Sequence, residues 1–156
     1  MEVIYLAGGC LWGVQAFVKT LPGVVETEAG RANGTTQTLA SPYDGYVECV
    51  KTTFDPTKTS VERLLSQLFE IIDPYSVNQQ GNDIGEKYRT GIYSEDNHHL
   101  QCATEWLKHR ADYAELAVEV QLLSNYVKSA DIHQDHLAKF PDDYCHIPHA
   151  LMQKYK

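Results

Sequence analysis

The sequence predicts an α+β domain, in which helices cover one face of a mainly antiparallel β-sheet. The main observation is the order of the predicted elements: strand, helix, strand, strand, helix and strand, followed by a further helix and strand. A second observation is size, since 156 residues with 43% hydrophobic content suit one domain with a single core. We therefore predict one catalytic domain over residues 1–156, in which residues 124–156 form a C-terminal irregular extension.

Hydrophobic periodicity assigns the elements of the first half of the chain. Residues 3–7 form a short apolar run that two glycines end, which predicts a buried strand. From residue 11 to residue 20 the apolar side chains recur at three- and four-residue spacings, which predicts a helix. Residues 24–29 and 46–54 are predicted strands, and the polar, turn-rich stretch 30–45 joins them.

The second half continues the alternation. Its predicted elements are a helix over 60–72, a polar loop over 73–86, a strand over 88–93, a helix over 95–113, a strand over 117–123 and a short helix around 133–139. The first six elements of the chain match the split β-α-β, or ferredoxin-like β-α-β-β-α-β, arrangement of a two-layer α/β sandwich.

Charge and hydropathy exclude several classes of protein. The net charge is −8 and Lys and Arg do not cluster, which argues against a nucleic-acid-binding protein because phosphate contacts need grouped cations. The sequence lacks an apolar run long enough to cross a membrane, and Glu2 stands where a secretory signal carries basic residues. We therefore expect a cytoplasmic monomer without a nucleic-acid or membrane partner.

Cys10 is the first candidate catalytic residue. It lies between a predicted strand and a predicted helix, after two glycines that allow a sharp turn. The free N–H groups and the positive dipole end of the helix then point at its sulfur, which favours a thiolate. Trp12 offers a flat apolar wall beside it. From the residues alone, a nucleophile and a small buried side chain at a turn are equally good interpretations.

Glu48 is the second candidate. Strand alternation places it on one face with Tyr46, Val50 and Phe54, whereas Cys49 points to the other face. A carboxyl group that faces a core has a raised pKa, and a protonated carboxyl is what a general acid needs. A glutamate at the solvent margin of the strand is the alternative that the residues leave open.

The loop 80–89 and the C-terminal tail supply the remaining candidates. The loop combines two glycines with Asn, Asp, Tyr and Arg, which is typical of a functional loop but also of a plain turn. Cys145 lies in a Pro- and Asp-rich tail, which we expect to be mobile enough to bring it to another thiol. The spacing His133-x-x-His136 resembles a metal-binding pair, but it has no matching second pair, so we predict no metal site.

In this order, the segments resemble the A class of peptide methionine sulfoxide reductases, over about residues 4–145. The family's Gly-Cys-Phe-Trp is matched by Gly9-Cys10-Leu11-Trp12, and its Gly-His-Ala-Glu by Gly45-Tyr46-Val47-Glu48. Its loop Gln-Gly-Asn-Asp-x-Gly-x-x-Tyr-Arg is matched in full by Gln80–Arg89, and its late His-Gln and Tyr-Cys by His133-Gln134 and Tyr144-Cys145.

The resemblance implies a role for each candidate residue. Cys10 would attack the sulfur of methionine sulfoxide, the S epimer in this class, in oxidised proteins or as the free amino acid. Glu48 would donate a proton to the oxygen, with the help of Tyr88 and with Asp83 in the supporting polar network. Cys145 would convert the resulting sulfenic acid to a disulfide, and thioredoxin or another dithiol would reduce it without metal or cofactor.

The resemblance also implies a pocket for the substrate, and here the sequence departs from the family. Leu11 replaces a phenylalanine beside Trp12, and Arg31 replaces a tyrosine. The shortened loop 34–45 lacks the Asn-Pro-x-Tyr that carries a second active-site tyrosine, and we assign that role to Tyr43. Ile132 and His136 replace aromatic residues common near the His-Gln pair, and Tyr46 replaces histidine.

Two other functions compete with this interpretation. A cysteine hydrolase would need a histidine beside Cys10 and an oxyanion site. A non-catalytic relative that binds oxidised methionine is the second alternative, which Leu11 and the missing tyrosine keep open.

Overall fold

The computed structural model describes residues 1–40, 42–143, 145 and 147–156. Eight strands lie within these ranges: β1 (Glu2–Gly8), β2 (Val24–Ala32), β3 (Val47–Phe54), β4 (Gln79–Gln80), β5 (Asp83–Ile84), β6 (Thr90–Ser94), β7 (Glu119–Leu122) and β8 (Tyr126–Lys128). The α-helices of the same ranges are α1 (Leu11–Val18), α2 (Val61–Leu68), α3 (Asn97–Lys108), α4 (His136–Lys139) and α5 (His149–Gln153).

Six of the strands form one mixed sheet in the order β7-β6-β1-β3-β2-β8. Within its four central strands, β6-β1-β3-β2, each adjacent pair is antiparallel, and α1 and α2 provide the two crossovers. This is the split β-α-β arrangement that the element order predicts, so the predicted α+β fold class is confirmed. The outer strand β7 runs parallel to β6, whereas β8 pairs antiparallel with β2.

The helices pack on one face of the sheet and build the main core there. Strand alternation sends Ile4, Leu6 and Val50 to this face, where they meet Phe17 of α1 and Leu64 of α2. All five side chains are fully buried, and each contributes roughly 1.5–3 kcal/mol relative to an exposed position. The other face carries a smaller cluster of Tyr5, Ala7, Ala32, Val47, Cys49 and Tyr93.

Two glycines make the sharp turn from β1 into α1. Gly9 has φ +97°, a backbone conformation that a side chain strains. A Cβ on Gly8 would lie 2.9 Å from Cγ2 of Ile72, so only glycine fits under the last turn after α2. The turn leaves Cys10 at the N-cap position of α1.

The structure departs from the sequence prediction mainly after residue 124. That segment is not only irregular chain with one short helix: β8 extends the sheet, and α5 packs on the core through Leu151 and Met152. Three-residue strands and five-residue helices are too short to show a period, so hydrophobic periodicity does not predict them. The small hairpin of β4 and β5 was missed for the same reason.

Among the described residues, the structure has no helix that is both long enough and apolar enough to cross a membrane.

Candidate active site

Cys10 opens into a cavity of about 340 Å³ at the N-terminus of α1. The lining side chains come from the first turn of α1, from β2 and β3, from the hairpin loop and from the C-terminal segment; they are Cys10, Leu11, Trp12, Arg31, Tyr46, Glu48, Asp83, Lys87, Tyr88, Ser129 and His133. Six of the eight site residues predicted from the sequence line this cavity: Cys10, Leu11, Trp12, Glu48, Asp83 and Tyr88. Cys145, the seventh, is not in the lining.

Glu48 points from β3 into the cavity and lies next to the start of α1. One of its carboxylate oxygens accepts a hydrogen bond from the backbone N–H of Leu11, at 3.2 Å. Burial raises the pKa of the Glu48 carboxyl, and the negative charge of Asp83 adds to this effect. The Leu11 N–H and the Lys87 ammonium act in the opposite direction without cancelling it. A carboxyl group in these surroundings is suited to hold a proton and to donate it.

The Cys10 thiol is not in the thiolate-favouring environment that the sequence predicts. Its pKa is raised to about 12, first because the sulfur is buried and then because the Glu48 carboxylate lies nearby. The backbone N–H of Trp12 lowers the pKa, as expected at a helix N-terminus, but it does not outweigh burial and negative charge. The expectation was wrong because the helix start does not reveal the burial of the sulfur or the nearby charge of Glu48.

The loop 80–89, which includes β5 of the small hairpin, brings Asp83, Lys87 and Tyr88 to the cavity. Gln80 anchors its start, since its buried side-chain amide accepts from the backbone N–H of Asp73 and donates to the C=O of the same residue, both at 2.8 Å. Beyond β5, residues 86–88 form one turn of 3-10 helix. The loop is therefore anchored to the body of the protein, and three of its side chains line the cavity.

Arg89 stabilises the end of the same loop through hydrogen bonds and an ion pair. Its guanidinium donates to the C=O groups of Glu86 and Gly45, at 2.8 and 3.2 Å, and pairs with Glu119 of β7 at 3.2 Å. Tyr88 is thereby held with its ring half-buried. Burial raises the pKa of the Tyr88 hydroxyl, and the Glu48 carboxylate raises it further, so the hydroxyl stays protonated and able to donate.

Cys145 packs against the first turn of α1 and does not extend from the protein on a free tail. It is half-buried and contacts the main core, and a Cβ on Gly13 would lie 2.7 Å from its sulfur. The backbone N–H of Ile147 donates to that sulfur at 3.4 Å. The negative charge of the Cys145 thiolate also raises the pKa of Cys10, which places the two sulfurs within electrostatic reach of each other. All four cysteines are free thiols in the structure.

Comparison with known proteins decides the family. The model of the peptide methionine sulfoxide reductase family matches residues 2–156. The chain belongs to the peptide methionine sulfoxide reductase family. The enzyme class predicted from the sequence is thus confirmed.

One solved structure agrees with this assignment, and two others share the fold. Methionine sulfoxide reductase A of Corynebacterium diphtheriae is 31% identical, with a TM-score of 0.82 over 95% of this chain and 78% of that one. Mxr1 from Saccharomyces cerevisiae in reduced form is 24% identical and shares the fold, with a TM-score of 0.85 over 92% of this chain and 88% of that one. The same yeast protein in complex with Trx2 is 16% identical, with a TM-score of 0.62 over 86% of this chain and 84% of that one.

The aromatic wall of the reductase's pocket is built by Trp12 together with two histidines. The indole N–H of Trp12 donates to Nδ1 of His133 at 3.1 Å, and the ring of His136 stacks on the indole with centroids 3.6 Å apart. His136, which stands where the family has an aromatic residue, therefore does the packing of an aromatic ring. Its Nε2 also lies 2.6 Å from the carboxylate of Asp143.

Tyr43, the eighth predicted site residue, lies outside the lining of the Cys10 cavity. Its hydroxyl donates to the C=O of Tyr46 at 2.8 Å, and its half-exposed ring lines a separate cavity of about 260 Å³. Tyr46 stands in the lining instead. Tyr46 and Lys87 line both cavities, so Tyr43 lies next to the Cys10 cavity, and its contact with the substrate stays a prediction.

Five of the lining residues were not predicted as site residues from the sequence: Arg31, Tyr46, Lys87, Ser129 and His133. Tyr46 was recognisable, since it is two positions before Glu48 on the same strand face. Arg31 depends on strand register, because it pairs directly with Glu48 across β2 and β3. Tyr144 of the predicted Tyr-Cys motif lies outside the described residues.

The structure does not support the hydrolase alternative. Within the described residues no histidine forms a hydrogen bond with Cys10, and His133, which shares the cavity, accepts from Trp12 instead. The one cluster of possible metal ligands found in the described ranges consists of Glu2, Asp96 and His99, and none of the three lines the cavity.

Proposed function

We propose that the enzyme reduces the S epimer of methionine sulfoxide, in oxidised proteins and as the free amino acid, with Cys10 as the nucleophile and Glu48 as the general acid. The observation that carries the proposal is that both side chains line one cavity, on either side of the Leu11 N–H that binds the carboxylate. We also propose that residues 1–156 form one catalytic domain.

In the first step the sulfur of Cys10 attacks the sulfur of the substrate, while the carboxyl group of Glu48 protonates the sulfoxide oxygen. A bond forms between the two sulfurs, and the sulfur–oxygen bond of the substrate breaks. The released hydroxide then attacks the Cys10 sulfur and breaks the sulfur–sulfur bond, so that methionine leaves and Cys10 becomes a sulfenic acid. The proton that Glu48 gives to the oxygen is the one that it took from the Cys10 thiol before the attack. The thiol is oxidised and the sulfoxide is reduced, with no metal or organic cofactor.

The raised pKa values of the two groups fit this step. A negative Glu48 disfavours the Cys10 thiolate, since the two charges repel. Once Glu48 is protonated, the repulsion disappears, and the Trp12 N–H at the start of α1 is then opposed mainly by the burial of the sulfur. The reactive state therefore carries its proton on Glu48, where the substrate oxygen needs it. The Tyr88 hydroxyl would bind the same oxygen, and Asp83 would keep Glu48 protonated through its negative charge.

Cys145 is the proposed resolving residue. Its thiol attacks the sulfur of the Cys10 sulfenic acid, a Cys10–Cys145 disulfide forms and water leaves. Its contact with Gly13, in the helix that Cys10 begins, supports this pairing. Cys49 is fully buried on the opposite face of the sheet, and Cys102 is on α3, so neither shares the surroundings of Cys10.

Thioredoxin is the proposed reductant, and its dithiol would reduce the Cys10–Cys145 disulfide while becoming a disulfide itself. The complex of yeast Mxr1 with Trx2, a structure that shares this fold, supports this assignment. We also propose a cytoplasmic location, since thioredoxin keeps thiols reduced there.

A stereospecific assay tests the proposal. The two epimers of methionine sulfoxide are incubated separately with the enzyme, thioredoxin, thioredoxin reductase and NADPH, and methionine is quantified. We expect turnover of the S epimer and none with the Cys10→Ser variant, whereas Cys102→Ser is the matched control that keeps activity. Binding of the sulfoxide without turnover, even with dithiothreitol, would instead identify a non-catalytic member of the family.

A further inference from the structure

Two cations stand in the cavity beside the acid. Arg31 and Lys87 are both half-buried and both line the space into which Cys10 and Glu48 open. Neither forms a salt bridge with a carboxylate of the described residues. Their positive charges are therefore available to a ligand, while the acids of the same cavity are held by other contacts, as Glu48 is by the Leu11 N–H.

Strand register fixes the position of Arg31. It lies opposite Glu48 in the pairing of β2 with β3, so the two side chains leave the same face of the sheet as direct neighbours. The guanidinium then turns along the strand and lies over the ring of Tyr46, 4.4 Å from its centroid. Tyr46 lies two positions before Glu48 in the chain, so this ring contact holds the guanidinium beside the acid.

Lys87 reaches the same place from the other side. Its ammonium lies over the ring of Tyr88, 5.1 Å from the centroid, and the charges of Glu48 and Tyr46 both act on it. Burial lowers the pKa of His133, and the nearby His136, Arg31 and Lys87 lower it further. Both cations thus line the same cavity as Tyr46 and His133.

One feature of the proposed substrate fits this arrangement. In methionine sulfoxide a short alkyl chain joins the sulfur to the carbon that carries the α-carboxylate, so both ends of the substrate lie within the cavity that the acid and the two cations line. When the sulfoxide oxygen meets Glu48, a free α-carboxylate meets Arg31 and Lys87. In the middle of a peptide chain the same position carries an amide, which offers no negative charge.

We propose that Arg31 and Lys87 form a carboxylate subsite, which makes the reductase selective for methionine sulfoxide with a free α-carboxylate, either the free amino acid or a C-terminal residue. This inference rests on the proposed function and narrows its substrates. Arginine binds carboxylates with two parallel N–H donors, and Tyr46 supports the guanidinium from below.

The test compares four substrates that differ only at their ends. They are L-methionine S-sulfoxide, its N-acetyl derivative, its methylamide, and the N-acetyl methylamide. We expect kcat/KM to be about tenfold or more higher for the two substrates with a free carboxylate, the size of effect that one charge-assisted contact gives. Equal kcat/KM for L-methionine S-sulfoxide and its N-acetyl derivative would show that a C-terminal residue is as good a substrate as the free amino acid. A large loss of kcat/KM on N-acetylation would restrict the subsite to the free amino acid.

Variants then assign the preference to these residues. In Arg31→Gln and Lys87→Gln we expect the ratio between carboxylate and methylamide substrates to fall towards one, and in Arg31→Lys to be kept in part. Lys19→Gln, which removes a cation outside the cavity, is the matched control and should leave the ratio unchanged.

Two results would overturn the inference. One is equal kcat/KM for carboxylates and amides in the unmodified enzyme, and the other is a preference that survives in both Arg31→Gln and Lys87→Gln. Reduction of none of the four substrates is a different outcome, since it contradicts the proposed function itself.

Discussion

Gly13 and Cys145 are in direct contact: a Cβ at Gly13 would lie only 2.7 Å from the sulfur of Cys145 and 3.1 Å from Cδ1 of Ile147. A glycine inside a helix costs stability, about 1 kcal/mol relative to alanine. Here it allows the C-terminal segment to approach the backbone of α1, one turn from the N-cap residue Cys10. The contact joins the proposed nucleophile and the proposed resolving thiol through a single helical turn.

The first prediction is that Gly13→Ala impairs the resolving step. The added methyl group displaces Cys145, and a small displacement of a reacting group lowers its rate by about tenfold or more. We expect slower turnover with thioredoxin, but a normal first turnover that produces one methionine per enzyme. Rapid-quench measurement of methionine and of free thiols separates the two steps.

A double-mutant cycle provides the control for Gly13→Ala. Overpacking costs about 1–3 kcal/mol, more than the helix gains from alanine. The loss should shrink when Cys145→Ala removes the sulfur, so urea unfolding of the two single variants and the double variant should show coupling. Additive effects would mean that the methyl group does not meet Cys145.

The second prediction concerns Cys145→Ser. Without the resolving thiol, the Cys10 sulfenic acid has no partner, so turnover driven by thioredoxin should stop after one cycle. Mass spectrometry with a sulfenic-acid probe such as dimedone should detect the product at Cys10. Cys102→Ser should turn over normally. Full cycling of Cys145→Ser with thioredoxin would transfer the resolving role to another thiol.

The third prediction follows from the electrostatic link between Glu48 and Cys10. The negative charge of Glu48 raises the pKa of the Cys10 thiol, so Glu48→Gln should lower that pKa. Alkylation of Cys10 by iodoacetamide should then begin at lower pH. Sulfoxide reduction should fall by about a hundredfold or more, because the proton donor is lost. The pH dependence of both rates measures the two effects.

The control for this prediction is Glu26→Gln, an exposed glutamate of β2. It should change neither rate. In the unmodified enzyme the reductive step should slow as pH rises through the raised pKa of Glu48, since only the protonated form donates. An unchanged pH profile in Glu48→Gln would remove Glu48 from the acid role.

The sequence predicts the central sheet because its strands and first two helices are long enough to show a period. It also predicts Glu48 on the helix face, where a charged residue interrupts an apolar pattern that includes Val50 and Phe54. These are local properties of the chain. The C-terminal elements have no such period, and their places depend on contacts with distant residues, such as the pairing of β8 with β2.

The parts of the site that the sequence could not predict depend on register and on the balance of charges. Arg31 enters the cavity because it pairs with Glu48 in the register of β2 with β3, and the long loop between these two strands hides that register from the sequence. The raised pKa of Cys10 depends on burial and on Glu48, neither of which the turn and the helix start reveal. Motif and helix position nominate Cys10 as the nucleophile, but they do not predict its protonation state.

The fourth prediction concerns the stacking of His136 on Trp12. The imidazole covers one face of the indole, and its Nε2 lies 2.6 Å from Asp143, two positions before Cys145. His136→Ala removes both contacts, so we expect a loss of about 1–3 kcal/mol in the free energy of unfolding. KM for the sulfoxide should rise, because Trp12 loses the support that holds it in the pocket wall. His109→Ala, at an exposed position after α3, should change neither quantity.

His136→Phe separates the two contacts of this side chain. Phenylalanine keeps the stacking and loses the link to Asp143, so KM should return close to its original value while turnover with thioredoxin stays slow. This result would show that stacking positions the substrate and that the link to Asp143 positions Cys145. A KM that remains high in His136→Phe would mean that the hydrogen bond, rather than the ring, keeps Trp12 in place.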